Sequence, residues 1–147
     1  MRRIMYSDGC NLRDSLGLLV LRVVVGAAFM LHGWPKIQNA TGWMPAEAPV
    51  PPALQAAAAV AEFAGGAALI LGLFTRLAAL SLAITMAVAA GMVHISQGHA
   101  FVGKPGDPSW ELAGVYFACS LLFLLAGPGR ISLDALLFSS RSSHDLP

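Results

Sequence analysis

Apolar residues in this chain come in long runs, separated by short polar or Pro- and Gly-rich stretches. Four runs stand out: Ser15 to Gly33, Ala53 to Leu73, Leu77 to Val93 and Leu112 to Ala126. A membrane helix needs about 20 mostly apolar residues, and the first two runs reach about that length. The last two are shorter. Their ends must extend into the interface, or the bilayer must thin around them. Arg2, Arg3 and Arg13 ahead of the first run give it the outline of a signal peptide. No small-x-small cleavage site precedes Trp34 and Pro35, and three further runs follow, so it reads as a retained span.

The stretches between the runs read as connections. Residues 34–52 contain Pro45, Pro49, Pro51 and Pro52. Phe74-Thr75-Arg76 is short enough to make a helical hairpin of spans two and three. Gly98, Gly103, Pro105, Gly106 and Pro108 mark a loop over 94–111, and Gly127-Pro128-Gly129 ends span four. Ser132 is placed to cap a short interfacial helix from Leu133 to Phe138. The chain divides into an N-terminal segment (1–14), a four-span membrane domain with that short helix (15–138), and a flexible polar tail (139–147).

Composition sharpens this reading. Hydrophobic residues make up 56% of the 147 and charged residues 12%, against about 25% charged in soluble domains. The mean hydropathy is +0.68. An ordinary cytosolic globule and a disordered chain are both excluded. Nine Lys and Arg offset by eight Asp and Glu argue against a nucleic-acid partner. The expected fold is all-α, an integral membrane four-helix bundle. With the N-terminus and C-terminus cytoplasmic, Arg2, Arg3, Arg13, Arg76, Arg130 and Arg141 lie inside and only Lys36 and Lys104 outside. That satisfies the positive-inside rule, and it places Trp34, Trp43 and Trp110 together in an outer aromatic belt.

Lipid tails supply no hydrophobic drive between helices, so small residues mark close contacts. Span three has Ala79, Ala83, Ala87 and Gly91 at four-residue spacing. Span two has Ala57, Ala61 and Gly65, with Gly66 beside it, and span one has Gly26 and Gly33. These stripes predict tight helix packing. Cys10 and Cys119 are too far apart to form a metal or redox motif, and Cys119 reads as a small buried hydrophobe.

Charge inside a span costs about 2.5–3.5 kcal/mol on insertion scales and normally faces the bundle interior. Arg22 shares a helix face with Gly26, Phe29 and Gly33, and Glu62 shares one with Gly66 and Leu69. Both point inward. One reading is an Arg22–Glu62 ion pair tying spans one and two together. The other makes Glu62 a proton carrier or a headgroup ligand. Near the outer end stand His32, Lys36, His94, His99 and Glu111. His94 shares a face with Ala83 and Ala87 and should point into the bundle. A metal site of His32, His94 and Glu111 is conceivable, yet no HxxxH-type motif supports it. A quinone pocket is the sharper alternative, since imidazole hydrogen-bonds a carbonyl and a carboxylate takes up a proton. The bland alternative is an interface satisfied by water and headgroups, which suits His99 and Lys36 best. His144 has no functional case.

The chain resembles the DoxX family of small bacterial membrane proteins (DoxX- and DoxD-like). The resemblance rests on Leu21-Arg22 through Gly26 to Leu31-His32-Gly33 with Lys36. It continues in Glu62-Phe63-Ala64-Gly65-Gly66 through Leu71-Gly72-Leu73-Phe74-Thr75-Arg76, then Met86 and Val93-His94. Trp110-Glu111 and Gly127-Pro128-Gly129-Arg130-Ile131-Ser132-Leu133-Asp134 complete it. It covers about residues 15–136. It implies a four-helix membrane protein, and relatives include the small DoxD-type subunit of thiosulfate:quinone oxidoreductase and members linked to thiol and oxidative stress. Their cysteine-pair relatives are a poor guide, because that pair is absent here.

The expectation is a quinone-associated membrane subunit of an oxidoreductase complex. Glu62 is its catalytic candidate, and Arg22, His32, Lys36, His94 and Glu111 are its ligand-binding candidates, with no metal. The chain has no GxGxxG, CxxCH or axial-ligand motif, so a quinone and a partner protein would carry the electrons. The alternative is a non-catalytic scaffold that anchors a soluble redox or stress-response partner, alone or as a homo-oligomer. A solute transporter ranks last, because no broken helix or inverted repeat is visible.

Overall fold

The computed structural model describes residues 11–47 and 50–138. Cys10, Arg2, Arg3, Arg141, His144 and the 139–147 tail lie outside the described residues.

Helix α1 spans Leu12–Gln38. Asn11 caps it, its side-chain oxygen accepting from the Asp14 N–H at 2.9 Å. The helix does not stop at Trp34 as the Pro-rich composition suggested. It runs through Pro35 for another turn and so keeps Lys36 in helical register with Gly33 and His32. One proline near a helix end removes one hydrogen bond and leaves the last turn standing. Helix α2 spans Pro52–Leu71, with proline at its first position, and ends on Gly72 at φ +65°. Helix α3 spans Thr75–Val88. Its continuation, Ala89–His94, widens into π-type turns and tightens to a 3₁₀ turn at Ile95–Gln97. Helix α4 spans Glu111–Ala126 and α5 spans Leu133–Phe138.

Three helical stretches are long and apolar enough to cross a membrane: Leu12–Gln38, Pro52–Leu71 and Thr75–Gln97. The fourth apolar helix has 16 residues, about 24 Å at 1.5 Å per residue. Among the described residues there is no strand, only an isolated bridge between Ala100 and Ser109. Helix α1 packs chiefly on α2, α2 on α3, and α3 on α4, while α1 and α4 touch at few places.

Small residues seat α1 on α2. A Cβ on Gly26 would lie 2.6 Å from the Gly66 carbonyl oxygen, and one on Gly33 would lie 2.6 Å from the Phe63 nitrogen. The backbones therefore touch where the sequence placed glycine. The other stripes hold only in part. Ala79 and Ala83 are buried, but Ala87 and Gly91 face outward; Gly91 lies within the i→i+5 turns, which re-phase the end of the helix. Gly65 packs under Leu82, whereas Ala57 is exposed.

The opposite end is wired by Asp134. Its carboxylate accepts from the N–H groups of Phe74 at 2.7 Å and Thr75 at 2.9 Å, capping α3. Its own N–H donates to the Gly72 carbonyl at 2.8 Å. Phe74 has a left-handed φ of +46°, and the Asp134 carboxylate holds it there. Ser132 caps α5 as expected, accepting from the Ala135 N–H at 3.0 Å. The short helix is thus part of the bundle, not an appendage.

Arg22 belongs to this end. It is 1% exposed and donates to the Ile131 carbonyl. A Cβ on Gly72 would overlap its guanidinium, so glycine there makes room for both the turn and the arginine.

Candidate functional site

Glu62 does not pair with Arg22. Lys36 Nζ lies 2.6 Å from both Glu62 carboxylate oxygens. The reason is helix register. Helices α1 and α2 run antiparallel, with Gly26 against Gly66 and Gly33 against Phe63. Moving toward the α1 C-terminus therefore moves toward the α2 N-terminus, and Lys36 comes opposite Glu62. Arg22 is 14 residues back along α1, about 21 Å away. The Arg22–Glu62 pair is thus corrected, and Arg22 is a structural residue of the far end.

The pair is well enclosed. Glu62 is 3% exposed and the Lys36 side chain 23%. Trp43 lies over the ammonium with its ring centroid 4.5 Å away. Trp43 is held by its indole N–H donating to the Gln55 carbonyl at 3.0 Å. The Gln55 side chain accepts from the Met44 N–H and donates to the Val50 carbonyl. One buried glutamine thereby folds the loop after α1 over the ion pair. Nothing in the hydropathy pattern marked Gln55 for that task.

A pocket of about 250 Å³ adjoins the pair, near the lower end of the ~300–1,000 Å³ usual for ligand sites. His32, Lys36, Glu62, His94 and Tyr116 supply its titratable groups and Ser109 a further hydroxyl, with Phe29 and Met86 among its apolar walls. Tyr116 stacks at a tilt on Phe29, with centroids 4.9 Å apart, and His32 meets it edge-on at 6.3 Å. Three of the predicted residues, His32, Lys36 and His94, converge on Glu62. Lys36 sits between Glu62 and the Trp43 ring, at the centre of the arrangement. Glu111 is corrected too. It is exposed at the start of α4 and does not line the pocket. The helix turns Ala113 and Tyr116 inward instead.

Tyr116 was missed, and its signal was available as the one phenol within the fourth apolar run. His99 meets His94 at this end of the bundle. Its Nδ1 lies 3.1 Å from His94 Nδ1, so one imidazole donates and the other accepts. The widened end of α3 makes this contact possible by bringing the chain back on itself. Among the described residues no group of three His, Cys, Asp or Glu is arranged to hold a metal ion.

The DoxX family model matches residues 17–95. This chain belongs to the DoxX family. The match holds Arg22, His32, Lys36, Glu62 and His94, while Tyr116 lies beyond it. An uncharacterized protein of Haemophilus influenzae is 36% identical over 123 residues, 82% of this chain and 90% of the relative. The Escherichia coli inner membrane protein YqjF is 29% identical, covering 84% of this chain and 94% of its own length. The inner membrane protein YphA of the same organism is 32% identical, covering 91% and 99%. No solved structure matches. With its long apolar helices, this DoxX protein is a multi-pass inner-membrane protein.

Proposed function

We propose that this protein is a quinone-associated membrane subunit of an oxidoreductase complex, with both termini cytoplasmic and the Lys36–Glu62 pocket toward the outer face. The observation that carries it is a buried ion pair forming the wall of a pocket that also presents two imidazoles and a phenol. His32, His94 and Tyr116 can donate to a carbonyl. Lys36 donates to both Glu62 carboxylate oxygens, and a polar head competing for the ammonium would free Oε1 or Oε2 as an acceptor. A bound quinone would supply the electron-carrying chemistry, and a partner chain the reductant. The six-to-two excess of basic residues supports the orientation.

The test is mass spectrometry of lipids retained by gently purified wild type and by Glu62→Gln. Quinone at near-stoichiometric level in the wild type, depleted at least severalfold in the variant, is the expected result. Equal retention in both sinks the role of Glu62.

One observation favours a second reading, the non-catalytic scaffold. Leu136 and Leu137 on α5 are 77% and 60% exposed and could seat a soluble partner. Removing α5 is a poor test, because Asp134 caps α3. Leu136→Ser with Leu137→Ser keeps the cap, and should release the partner while leaving quinone retention alone.

A further inference from the structure

The Lys36–Glu62 pair has a cavity on each side. Besides the polar pocket, a cleft of about 270 Å³ opens between α2 and α3. Lys36, Glu62 and Trp43 stand at its polar end. Its remaining walls are apolar, from Leu54, Ala58 and Ala61 on α2 to Ile84 and Val88 on α3. Two hydroxyls also border it, and both are spent within the helix. Ser81 donates to the Ala78 carbonyl at 2.8 Å and Thr85 to the Ser81 carbonyl at 2.9 Å. The cleft thus offers a ligand one charged end and an otherwise apolar channel.

The channel continues. A shallower trough runs on along the same two helices, sharing Ala57, Ala61 and Ser81 and reaching Ala68 and Phe74. From Glu62, where the polar head lies, the trough reaches Ala68, six residues or about 9 Å further along α2, and the cleft reaches Leu54, about 12 Å the other way. This seam faces the bilayer side of the helix pair, where Ala57, Val60 and Leu77 are exposed.

We propose that the α2–α3 seam seats the apolar chain of the amphipathic ligand whose polar head lies against Lys36 and Glu62, and that the ligand enters sideways from the lipid. This rests on the quinone reading of the polar pocket. Three observations combine. The two cavities share the same lysine and glutamate. Only one end of the cleft is polar. The seam follows the length of α2 and α3, both long and apolar enough to cross a membrane, as an isoprenoid or alkyl chain would. A phospholipid acyl chain could compete for the same seam, and the test separates the two.

The experiment uses full-length protein in native membranes and a benzoquinone with an azide at the end of a ten-carbon chain. After illumination, labelled peptides are mapped by mass spectrometry, with and without excess decylbenzoquinone. Labelling of residues 54–68 and 77–88 that decylbenzoquinone suppresses is the expected result. Ala57→Leu and Ala61→Leu should cut it at least threefold, while quinone-head binding, read by retention of a chainless benzoquinone, stays within twofold. Ala57 is exposed, so that variant should fold. Competed labelling on α1 or α4 instead, or seam labelling that only added phospholipid suppresses, overturns the chain assignment and leaves the pocket standing. Failure of either quinone to be retained or to compete anywhere overturns the pocket reading, and the seam with it.

Discussion

Lys36 Nζ reaches both carboxylate oxygens of Glu62 at 2.6 Å across 26 residues of chain, and it does so because α1 carries on past Pro35. Had the helix ended at Trp34, the ammonium would sit in a loop and the carboxylate would face an apolar wall alone. The site is therefore built from the last turn of one helix and the middle of the next, with the loop tied down by Gln55 closing it.

Breaking that pair from one side should cost more than removing it whole. An unpartnered buried charge is expensive, whereas apolar replacement of both partners is often tolerated. Lys36→Met and Glu62→Gln should each lower stability by about 2–4 kcal/mol, toward the lower figure because Lys36 is partly exposed. The double variant should recover at least half of the summed loss. Thermal unfolding in detergent, arranged as a double-mutant cycle, reads the coupling. Strict additivity would mean the two side chains do not support each other.

The α1–α2 contact gives a sharper steric prediction. Gly33→Ala places a methyl 2.6 Å from backbone at Phe63. Backbone cannot step aside as a side-chain tip can, so the helices must part, at a cost of about 1–3 kcal/mol. Gly33 is one turn from Lys36, and quinone retention should fall too. Gly17→Ala meets nothing within 4 Å and should be neutral or stabilising by up to about 1 kcal/mol through helix propensity. Melting temperatures of the two variants, compared side by side, settle this.

Asp134 should matter to α3 although it lies 59 residues further along the chain. Asp134→Ala strips the cap from Phe74 and Thr75 and releases a left-handed Phe74. A loss of about 2–3 kcal/mol is expected, with Asp134→Asn recovering part of it through its remaining oxygen. Trypsin cleavage after Arg76 should speed up in the alanine variant. Unchanged cleavage would show that the α2–α3 turn holds itself.

The His94–His99 contact is expected to anchor the 95–110 loop. His99 also donates its backbone N–H to the His94 carbonyl at 3.1 Å, and Phe101 packs on Trp110 with centroids 4.4 Å apart. His99→Ala removes one of these ties and should raise amide exchange over 95–100 severalfold, with residues near Trp110 less affected. Uniform protection would mean that the imidazole contact carries no weight in the loop.

Much of this molecule follows from sequence alone. Long apolar runs must become helices in a bilayer, because only internal hydrogen bonding satisfies their backbones there. The Gly-Pro and Phe-Thr-Arg breaks place the turns, Ser132 starts the last helix, and Gly26 and Gly33 mark the face on which α1 meets α2. Even the inward aim of Arg22 and Glu62 follows from helical periodicity. What only the tertiary structure decides is which of them meet. Pairing across two helices depends on their relative sliding, and that is set where Gly26 stops against Gly66 and Gly33 against Phe63, a steric contact no single-helix pattern contains. The same holds for His94, re-aimed by π turns, for Glu111, turned outward by the phase of α4, and for Asp134, whose partners lie at the start of a different helix.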